Sequence, residues 1–250
     1  MHCMTSLWHL RHVSKSLKHL YNACMKKARY ICLEGTEGVG KTTQTQLLVD
    51  TLKARGYAVL QTKEPGTPLV PLTMILRGIM LDNQYDAAMT RPAREYISQA
   101  IRSIHLENLI VPNIYNYDYI IQDRGILSGY AYGTGCGNEY RDLCALSNQV
   151  VDAACPDEDL ALFPPQAERI YDSVIYLRGD SLKGLAKAKA AKQEYAAGDA
   201  MESRGNSFIE SVSKNMDYMS ESFNTVRIDV DGKSIEEVHN EILANLGLGK

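Results

Sequence analysis

A glycine-rich stretch near the start of the chain constrains its fold more than any other feature. Residues Gly35–Thr42 read GTEGVGKT and match the pattern G-x-x-x-x-G-K-[ST] of a phosphate-binding loop. The residues before it, Tyr30–Leu33, predict a short buried strand, and those after it predict a helix that opens at Lys41. Such a loop turns tightly and aims backbone N–H groups at phosphate oxygens, which glycine permits. The positive N-terminal end of the helix favours the same anion.

Two side chains of this loop suit a bound nucleotide. Lys41 would reach the β- and γ-phosphates, and the hydroxyl of Thr42 would ligate Mg²⁺. Asp123 follows a predicted strand, and phosphate-loop enzymes place a carboxylate that orients Mg²⁺ at such a strand end, directly or through water. We therefore predict a metal site at Thr42 and Asp123. Arg124, the next residue, would clamp a phosphate.

Composition and charge narrow the class of protein. The 250 residues suit one domain with a full core, and a hydrophobic content of 45% is ordinary for a globular chain. The net charge is −3, without a domain-wide basic excess, which gives nucleic-acid binding little electrostatic support. Free nucleotides are therefore the expected partners.

The cysteines and the apolar segments bear on the cellular compartment. The 6 cysteines include no C-x-x-C pair and no histidine at ligand spacing, which favours reduced thiols in the cytoplasm over a zinc site or a disulfide framework. The longest apolar stretch, Leu69–Leu81, is interrupted by proline and carries Arg77, so no membrane-spanning segment is predicted.

Residues 1–24 differ in composition from the rest of the chain. Residues 1–33 contain no Asp or Glu, and apolar side chains recur at helical spacing from Leu10 to Cys24 beside basic residues. This pattern predicts a basic amphipathic extension. Three roles stay open: a helix docked on the body or on a partner, a stretch upstream of a working protein that starts at Met25, or an organelle-targeting peptide.

Residues 25–250 are predicted to form one domain in which strands and helices alternate. Four further strands are predicted at residues 57–62, 117–122, 173–177 and 226–230. Helices are predicted at residues 42–55, 71–81, 91–110, 127–132 and 139–154, with a last helix that Ser234 begins through a capping box. This alternation predicts an α/β fold, with a five-stranded parallel sheet that has helices on both faces.

Several charged groups fall where this fold would use them. The turn Lys63–Gly66 (KEPG) follows a strand, where open α/β sheets place ligand groups, although a plain Pro-Gly turn would have the same sequence. Arg77 lies within an apolar run, and Arg94 and Arg102 lie on the next predicted helix. An arginine in such a setting calls for an anion unless it snorkels or pairs with a carboxylate.

Residues 181–208 stand apart through low apolar content and an excess of cations, with a Gly-Asp break between them. This composition predicts a mobile lid, and a solvated charged helix is the alternative.

Several motifs together resemble the thymidylate kinase family of nucleoside monophosphate kinases. They are, in chain order, the loop EGTEGVGKTTQ, the turn TKEPG, LRGIML at 76–81, DRGILSGYAY at 123–132 and IDVDGKSIEEVH at 228–239. The resemblance covers residues 25–250. It implies a P-loop NTPase fold, a homodimer, and transfer of the γ-phosphoryl of ATP to dTMP. It also implies that ATP contacts Gly35, Thr36, Glu37, Gly38, Val39, Gly40, Lys41, Thr42 and Thr43.

The resemblance further implies how the acceptor is held. Glu37 would hold the sugar 3′-hydroxyl, Arg77 the acceptor phosphate, and Arg124 both phosphates. Arg102 would address the base, and Tyr132 would crowd a ribose 2′-hydroxyl. The full set of implied acceptor contacts is Glu37, Glu64, Pro65, Arg77, Ser98, Arg102, Arg124, Ser128 and Tyr132.

The phosphate loop carries Gly38, rather than arginine, after Glu37. This is similar to the family branch in which the lid supplies catalytic cations. The expected catalytic residues are therefore Lys41, Arg124, Lys187, Lys189, Lys192 and Arg204.

Two positions depart from the family pattern. Ser98 stands where a Phe commonly stacks on the base, and Gly125 where an aromatic residue is frequent. Because the methyl of thymine would then be weakly recognised, we expect dUMP to be accepted beside dTMP. Alternatively, Tyr96 or Tyr130 stacks in place of the Phe and keeps the enzyme strict.

Other functions remain as alternatives. The chain could phosphorylate another deoxynucleoside monophosphate, or it could be a regulatory module that binds nucleotides without turnover. A GTPase would carry an N-K-x-D motif, which is absent, and a motor ATPase usually has Glu where Arg124 stands.

Overall fold

The computed structural model describes residues 26–154, 166–191 and 199–249. Five strands form one sheet in the order β2-β3-β1-β4-β5, and every neighbouring pair is parallel. The strands are β1 Arg29–Glu34, β2 Val59–Lys63, β3 Tyr119–Asp123, β4 Ser173–Arg178 and β5 Thr225–Asp229. The predicted fold class, an α/β fold around a five-stranded parallel sheet, is confirmed.

Helices connect the strands. They are α1 Lys41–Ala54, α2 Pro71–Leu81, α3 Arg91–His105, α4 Ile126–Gly135, α5 Tyr140–Ala154, α6 Ser181–Ala191, α7 Asn206–Met219 and α8 Ile235–Asn245. A short helix, Asn83–Asp86, follows α2, and α3 continues through a π-helical turn at Leu106–Ile110. The capping box predicted at Ser234 is present, since its side chain accepts from Glu237 N and the Glu237 carboxylate accepts from Ser234 N.

Alternate residues of β1 face two separate cores. Tyr30 and Cys32 pack into a cluster with residues of α4, α5 and the π-helical turn, whereas Ile31 and Leu33 pack with residues of α1 and α8. Because successive side chains of a strand point to opposite faces, a continuous apolar strand needs helices on both sides. The sheet is therefore the middle layer of three.

The sheet brings the carboxyl ends of three strands together. Leu33 near the end of β1 is in register with Asp123 at the end of β3, and Lys63 at the end of β2 is in register with the same aspartate. The phosphate loop leaves β1 at this edge, and the turn Lys63–Gly66 leaves β2 there. Ligand groups that are distant in sequence thus meet at one sheet edge.

Helix α7 was not predicted from the sequence, although its apolar residues Ile209, Val212, Met216 and Met219 recur every three or four positions and are buried. Its first residues, 206–208, belong to the predicted lid segment. Helix α4 is longer than expected, because the glycine-rich segment after Tyr132 continues the helix to Gly135.

Some expectations fall on parts of the chain that the structure does not describe. The N-terminal extension, residues 1–24, lies outside the described residues, as do residues 192–198 of the predicted lid. Across the described residues, no helix has both the length and the apolar character needed to span a bilayer.

Candidate active site

The backbone of the phosphate loop makes one close approach that only glycine allows. Gly38 has φ 69°, and a Cβ there would lie 1.9 Å from the carbonyl oxygen of Gly184 in α6. A Cβ on Gly184 would in turn lie 2.2 Å from the Glu37 carbonyl oxygen. Heavy atoms cannot approach this closely, so both positions require glycine. The loop therefore packs directly on the first turns of the predicted lid.

Lys41 is buried beneath the loop. Its ammonium donates to the carbonyl oxygen of Thr36 in the same loop, and its side chain is almost wholly removed from water. Burial, and then the neighbouring guanidinium of Arg124, lower the pKa of Lys41 to about 8. The site therefore favours the neutral amine of Lys41 until an anion compensates the charge of the ammonium form.

Thr42 and Asp123 meet as the sequence predicted. The Thr42 hydroxyl donates to Asp123 Oδ2 at 2.7 Å, at the end of β3. Two oxygen ligands side by side at a phosphate loop fit Mg²⁺, which takes one or two protein oxygens and completes its octahedron with phosphates and water. Among the described residues, no group of three or more His, Cys, Asp or Glu could hold a metal. The residues present thus fit a nucleotide-borne magnesium ion.

Arg124 links the end of β3 to the phosphate loop. Its guanidinium donates to the Gly35 carbonyl at 2.8 Å, to Ser128 Oγ at 3.1 Å and to Glu37 Oε1 at 2.6 Å. Burial opposes its charge, but the Glu37 carboxylate more than offsets this and holds the pKa of Arg124 above its ordinary value. Arg124 therefore stays cationic within reach of the loop.

Tyr132 completes this group. Its hydroxyl donates to Glu37 Oε1 at 3.3 Å, and the Arg124 guanidinium carbon lies 5.6 Å from the centre of its ring. Burial raises the pKa of the Tyr132 phenol, so the hydroxyl keeps its proton at neutral pH. Glu37, Arg124 and Tyr132 thus form one connected cluster beside the loop.

Glu34, at the end of β1, is a site residue that sequence reasoning missed. Its fully buried carboxylate accepts from the backbone N–H groups of Gly125 and Ser128 and from Ser128 Oγ. Burial raises its pKa. Glu34 fixes the first turn of α4 and so orients Ser128 and Arg124. The only sequence sign of it was a carboxylate in an otherwise apolar strand.

A cleft opens beside the loop. All nine residues that the resemblance implied as acceptor contacts line it: Glu37, Glu64, Pro65, Arg77, Ser98, Arg102, Arg124, Ser128 and Tyr132. Arg77, on α2, donates to the Pro65 carbonyl at 2.7 Å. Burial lowers the pKa of Arg77, as expected for a cation set in a cleft.

The far end of the cleft is built on a buried ion pair. Glu64 Oε2 accepts from Arg102 Nε at 3.3 Å, and His105 Nδ1 lies 3.0 Å from the other Glu64 oxygen. Burial alone would raise the pKa of Glu64, but Arg102 holds it below its usual value. The alternative that Arg102 pairs with a carboxylate is therefore what the structure has, as it also is for Arg94 with Asp86 at 2.6 Å.

Neither Tyr96 nor Tyr130 takes the stacking position that Ser98 leaves open. Tyr130 is fully buried in the core against Tyr140, and Tyr96 is 61% exposed. Neither tyrosine is among the residues that line the cleft, whereas Ser98 is. The alternative in which Tyr96 or Tyr130 replaces the stacking ring has no support in this arrangement.

The glycine at position 125, where an aromatic residue is frequent in the family, is explained by a residue distant in sequence. A Cβ there would lie 2.1 Å from the hydroxyl of Tyr171, a buried residue just before β4. Gln122 Nε2 donates to that hydroxyl at 3.2 Å, and Ile126 N does so at 3.3 Å. Tyr171 therefore fills the space beside Gly125 with an aromatic ring from another part of the chain.

A second cleft lies on the opposite side of the loop, with an empty volume of about 780 Å³. It is lined by the loop at Gly38–Gly40, by the start of α6 at 179–184 and by the β5–α8 connection at 230–235. The sequence motif IDVDGKSIEEVH contains part of this wall, but it had been given no role. Gln44 Nε2 donates to the Ile235 carbonyl at 2.9 Å and ties α1 to that connection.

The predicted lid cations are only partly described. Lys187 and Lys189 lie on α6, in a segment whose side chains the structure does not describe, and Lys192 lies outside the described residues. Arg204 pairs with Asp86 at 3.2 Å, and its guanidinium carbon lies 5.6 Å from the centre of the Phe208 ring. Arg204 is not among the residues that line either cleft.

Comparisons with known proteins agree with this arrangement. The family model for thymidylate kinase matches residues 33–242. A thymidylate kinase of Francisella tularensis subsp. tularensis is 29% identical over 218 residues, which cover 86% of this chain and 94% of that protein. One from Halothermothrix orenii is 30% identical over 214 residues, covering 85% and 93%. The crystal structure of thymidylate kinase from Ehrlichia chaffeensis has the same fold, with a TM-score of 0.61 at 22% identity over 89% of this chain and all of that one.

The site combines a phosphate loop at the end of β1, an aspartate at the end of β3 and an arginine-lined cleft beside them. This combination defines an ATP-dependent phosphotransferase of the nucleoside monophosphate kinase class. Within that class, the extent of the family match decides the assignment. The chain belongs to the thymidylate kinase family.

Proposed function

We propose that this protein transfers the γ-phosphoryl group of ATP to dTMP, and also to dUMP, to give the diphosphate. The observation that carries the proposal is the position of Arg124. One guanidinium contacts the phosphate loop at Gly35 and Glu37 and also lines the cleft. A cation between a donor loop and an acceptor cleft is what in-line transfer between two phosphates needs.

The donor is assigned to the loop and the second cleft. The backbone of residues 35–43 would cradle the triphosphate, Lys41 would neutralise its β- and γ-phosphates, and the nucleoside would extend into the second cleft. Thr42 and Asp123 would hold Mg²⁺. When bound, the ion supplies charge neutralisation on the transferring phosphoryl group.

The acceptor is assigned to the first cleft, which Arg77 and Arg124 line. Arg77 would bind its phosphate, Glu37 its 3′-hydroxyl and Arg102 its base, with Ser128 nearby and Tyr132 against C2′. The acceptor phosphate is already anionic at neutral pH, so the site needs cations more than a general base. Two unit charges 4 Å apart repel by about 4 kcal/mol at an effective dielectric of 20. Lys41, Arg77 and Arg124 offset that repulsion.

Further cations would come from the lid. We assign this role to Lys187, Lys189, Lys192 and Arg204, because the phosphate loop carries Gly38 rather than arginine after Glu37. The packing of Gly38 on Gly184 supports a lid that responds to the occupant of the loop. Residues 181–208 remain the proposed lid, with α7 as its rigid continuation.

Assembly and location are proposed on coarser grounds. Helix α2 exposes Leu72, Ile75 and Ile79 at helical spacing on one side, and such a stripe on a folded protein is typical of a protein interface. We assign it to a homodimer, as the family resemblance implies. Reduced thiols and free nucleotide substrates fit a cytoplasmic enzyme.

A coupled ADP-release assay tests the acceptor. The kcat/KM values for dTMP, dUMP, UMP and dCMP should rank dTMP and dUMP together, within about a hundredfold, because the thymine methyl is worth only one apolar contact of roughly 1–3 kcal/mol. A larger preference for dTMP would remove dUMP from the proposal. Activity on none of the four would leave a nucleotide-binding module.

A further inference from the structure

The base end of the cleft carries a polar row of three residues, of which the proposed function uses only Arg102. On α3, the Gln99 side chain joins two charged residues: its Nε2 donates to Glu95 Oε1 at 2.7 Å, and its Oε1 accepts from Arg102 Nη1 at 3.0 Å. Glu95 is 7% exposed and lines the cleft, as does Arg102. A carboxyl group at this depth is costly unless something compensates it.

Each end of the row keeps one polar atom without a hydrogen-bond partner among the described residues. Arg102 uses Nε on Glu64 and Nη1 on Gln99 and Ser147, which leaves Nη2 as a free donor. Glu95 uses Oε1 on Gln99, which leaves Oε2 as a free acceptor. Both residues line the cleft, so the free donor and the free acceptor are available to a ligand there.

Helix α4 makes room for both free atoms. A Cβ on Gly129 would lie 2.8 Å from Arg102 Nη2, and a Cβ on Gly133 would lie 3.1 Å from Glu95 Oε2. Both glycines also line the cleft.

A free donor and a free acceptor on one wall of the cleft complement a ring edge that presents an acceptor beside a donor. Uracil and thymine present a carbonyl acceptor (O4) beside an N–H donor (N3) along that edge. Cytosine presents the reverse, an amino donor beside a bare nitrogen acceptor.

We propose that Glu95 determines base specificity by accepting a hydrogen bond from the N3–H of an imide-type pyrimidine while Arg102 donates to the neighbouring O4. The inference rests on the proposed function, because it concerns the acceptor of that reaction. Glu95 selects uracil and thymine over cytosine and is indifferent to the 5-methyl group. Gln99, which bonds to both Glu95 and Arg102, fixes the carboxylate and the guanidinium relative to each other.

The first test compares dUMP with N3-methyl-dUMP, which lacks the N3–H. The methyl analogue should lose about 10- to 100-fold in kcat/KM with the wild-type chain, since a buried charged acceptor loses its partner. Glu95→Ala should lower kcat/KM for dUMP to near the level of the analogue and shrink the difference below about threefold. A difference in Glu95→Ala equal to that in the wild-type chain overturns the proposal.

Glu95→Gln separates hydrogen bonding from steric effects, because it keeps the volume and can turn an N–H toward the bare N3 of cytosine. It should raise the dCMP to dUMP ratio of kcat/KM by about tenfold or more. A ratio within about threefold of wild type contradicts the proposal, since a merely structural carboxylate would not move it. Glu107→Ala, which removes an exposed carboxylate beyond α3, is the matched control and should leave all ratios unchanged.

Two further measurements on each variant serve as controls. The KM for ATP and the unfolding midpoint of each variant show whether the fold is intact. If none of the pyrimidine deoxynucleoside monophosphates supports ADP release by the wild-type chain, the proposed function itself has failed. If it phosphorylates dTMP and dUMP but the variants leave the ratios unmoved, only the role of Glu95 has failed.

Discussion

Arg124 donates to Glu37 at 2.6 Å, across 87 residues of sequence, and so joins the end of β3 to the phosphate loop that follows β1. Arg124 has φ 63°, a left-handed conformation that is unusual outside glycine. Buried Glu34 holds the backbone just beyond it through Gly125 N at 2.8 Å. The strained residue is therefore fixed on both sides, which is typical of a residue held for function.

Arg77→Ala should raise the KM for dTMP by about 10- to 100-fold while the KM for ATP changes less than about twofold, because a charge-assisted contact to one phosphate is lost. Steady-state kinetics with each substrate varied in turn measures both constants. Arg141→Ala, which removes an almost fully exposed guanidinium on α5, is the control. Equal rises in both KM values would show that Arg77 is structural.

ATP affinity should depend on pH through Lys41. Its pKa lies near 8, so the free protein carries the ammonium form below that pH and loses it above. Only the ammonium attracts phosphate, so the Kd for ATP should rise about tenfold per pH unit above 8. Calorimetric titration between pH 7 and 9.5 measures this. Lys41→Met should bind weakly with no such slope, and a flat wild-type profile would refute the assignment.

Tyr132 should discriminate against ribose through its ring. Tyr132→Ala should raise the UMP to dUMP ratio of kcat/KM by about tenfold or more, since a steric barrier against the 2′-hydroxyl is removed. Tyr132→Phe keeps the ring and loses only the bond to Glu37 at 3.3 Å, so it should still reject UMP. If both variants accept UMP equally, the hydroxyl rather than the ring provides the selection.

The exposed stripe on α2 should hold the dimer. Ile75 is 62% exposed, and Ile75→Asp would bury a charge in the interface, which costs several kcal/mol if it is left unpaired. Light scattering after size exclusion should then show the mass of one chain, about 27.9 kDa, instead of twice that value. Tyr218→Asp alters an equally exposed side chain on α7 and should remain dimeric. If the wild-type chain itself has the mass of a monomer, the proposed dimer interface on α2 is wrong.

The sequence was most informative where function and local structure coincide. Gly35–Thr42 predicted a phosphate loop between a strand and a helix, because that short pattern has a physical reason. The proximity of Thr42 and Asp123 followed from the parallel strand order, which brings strand ends together, whereas the pairing of Arg124 with Glu37 was not predicted.

The remaining features depend on contacts that no local pattern encodes. Tyr171 fills the space beside Gly125 from 46 positions away, so the missing aromatic could not be judged from the motif alone. Glu34 lies between the predicted strand and the phosphate loop, and no local pattern shows that α4 packs against it. Helix α7 was missed, and its residues 206–208 were assigned to the lid because cations dominate the segment before it. The buried residues of α7 face α4 and β4.

The central claim is phosphoryl transfer from ATP to dTMP, and the most direct measurement follows the phosphoryl group itself. ATP labelled in the γ-phosphate is incubated with the protein, Mg²⁺ and dTMP, and the products are separated. The account predicts label in dTDP with stoichiometric ADP, and none above background with Lys41→Ala, whose fold should remain intact. Label released as inorganic phosphate, or transfer by Lys41→Ala at the wild-type rate, would contradict it.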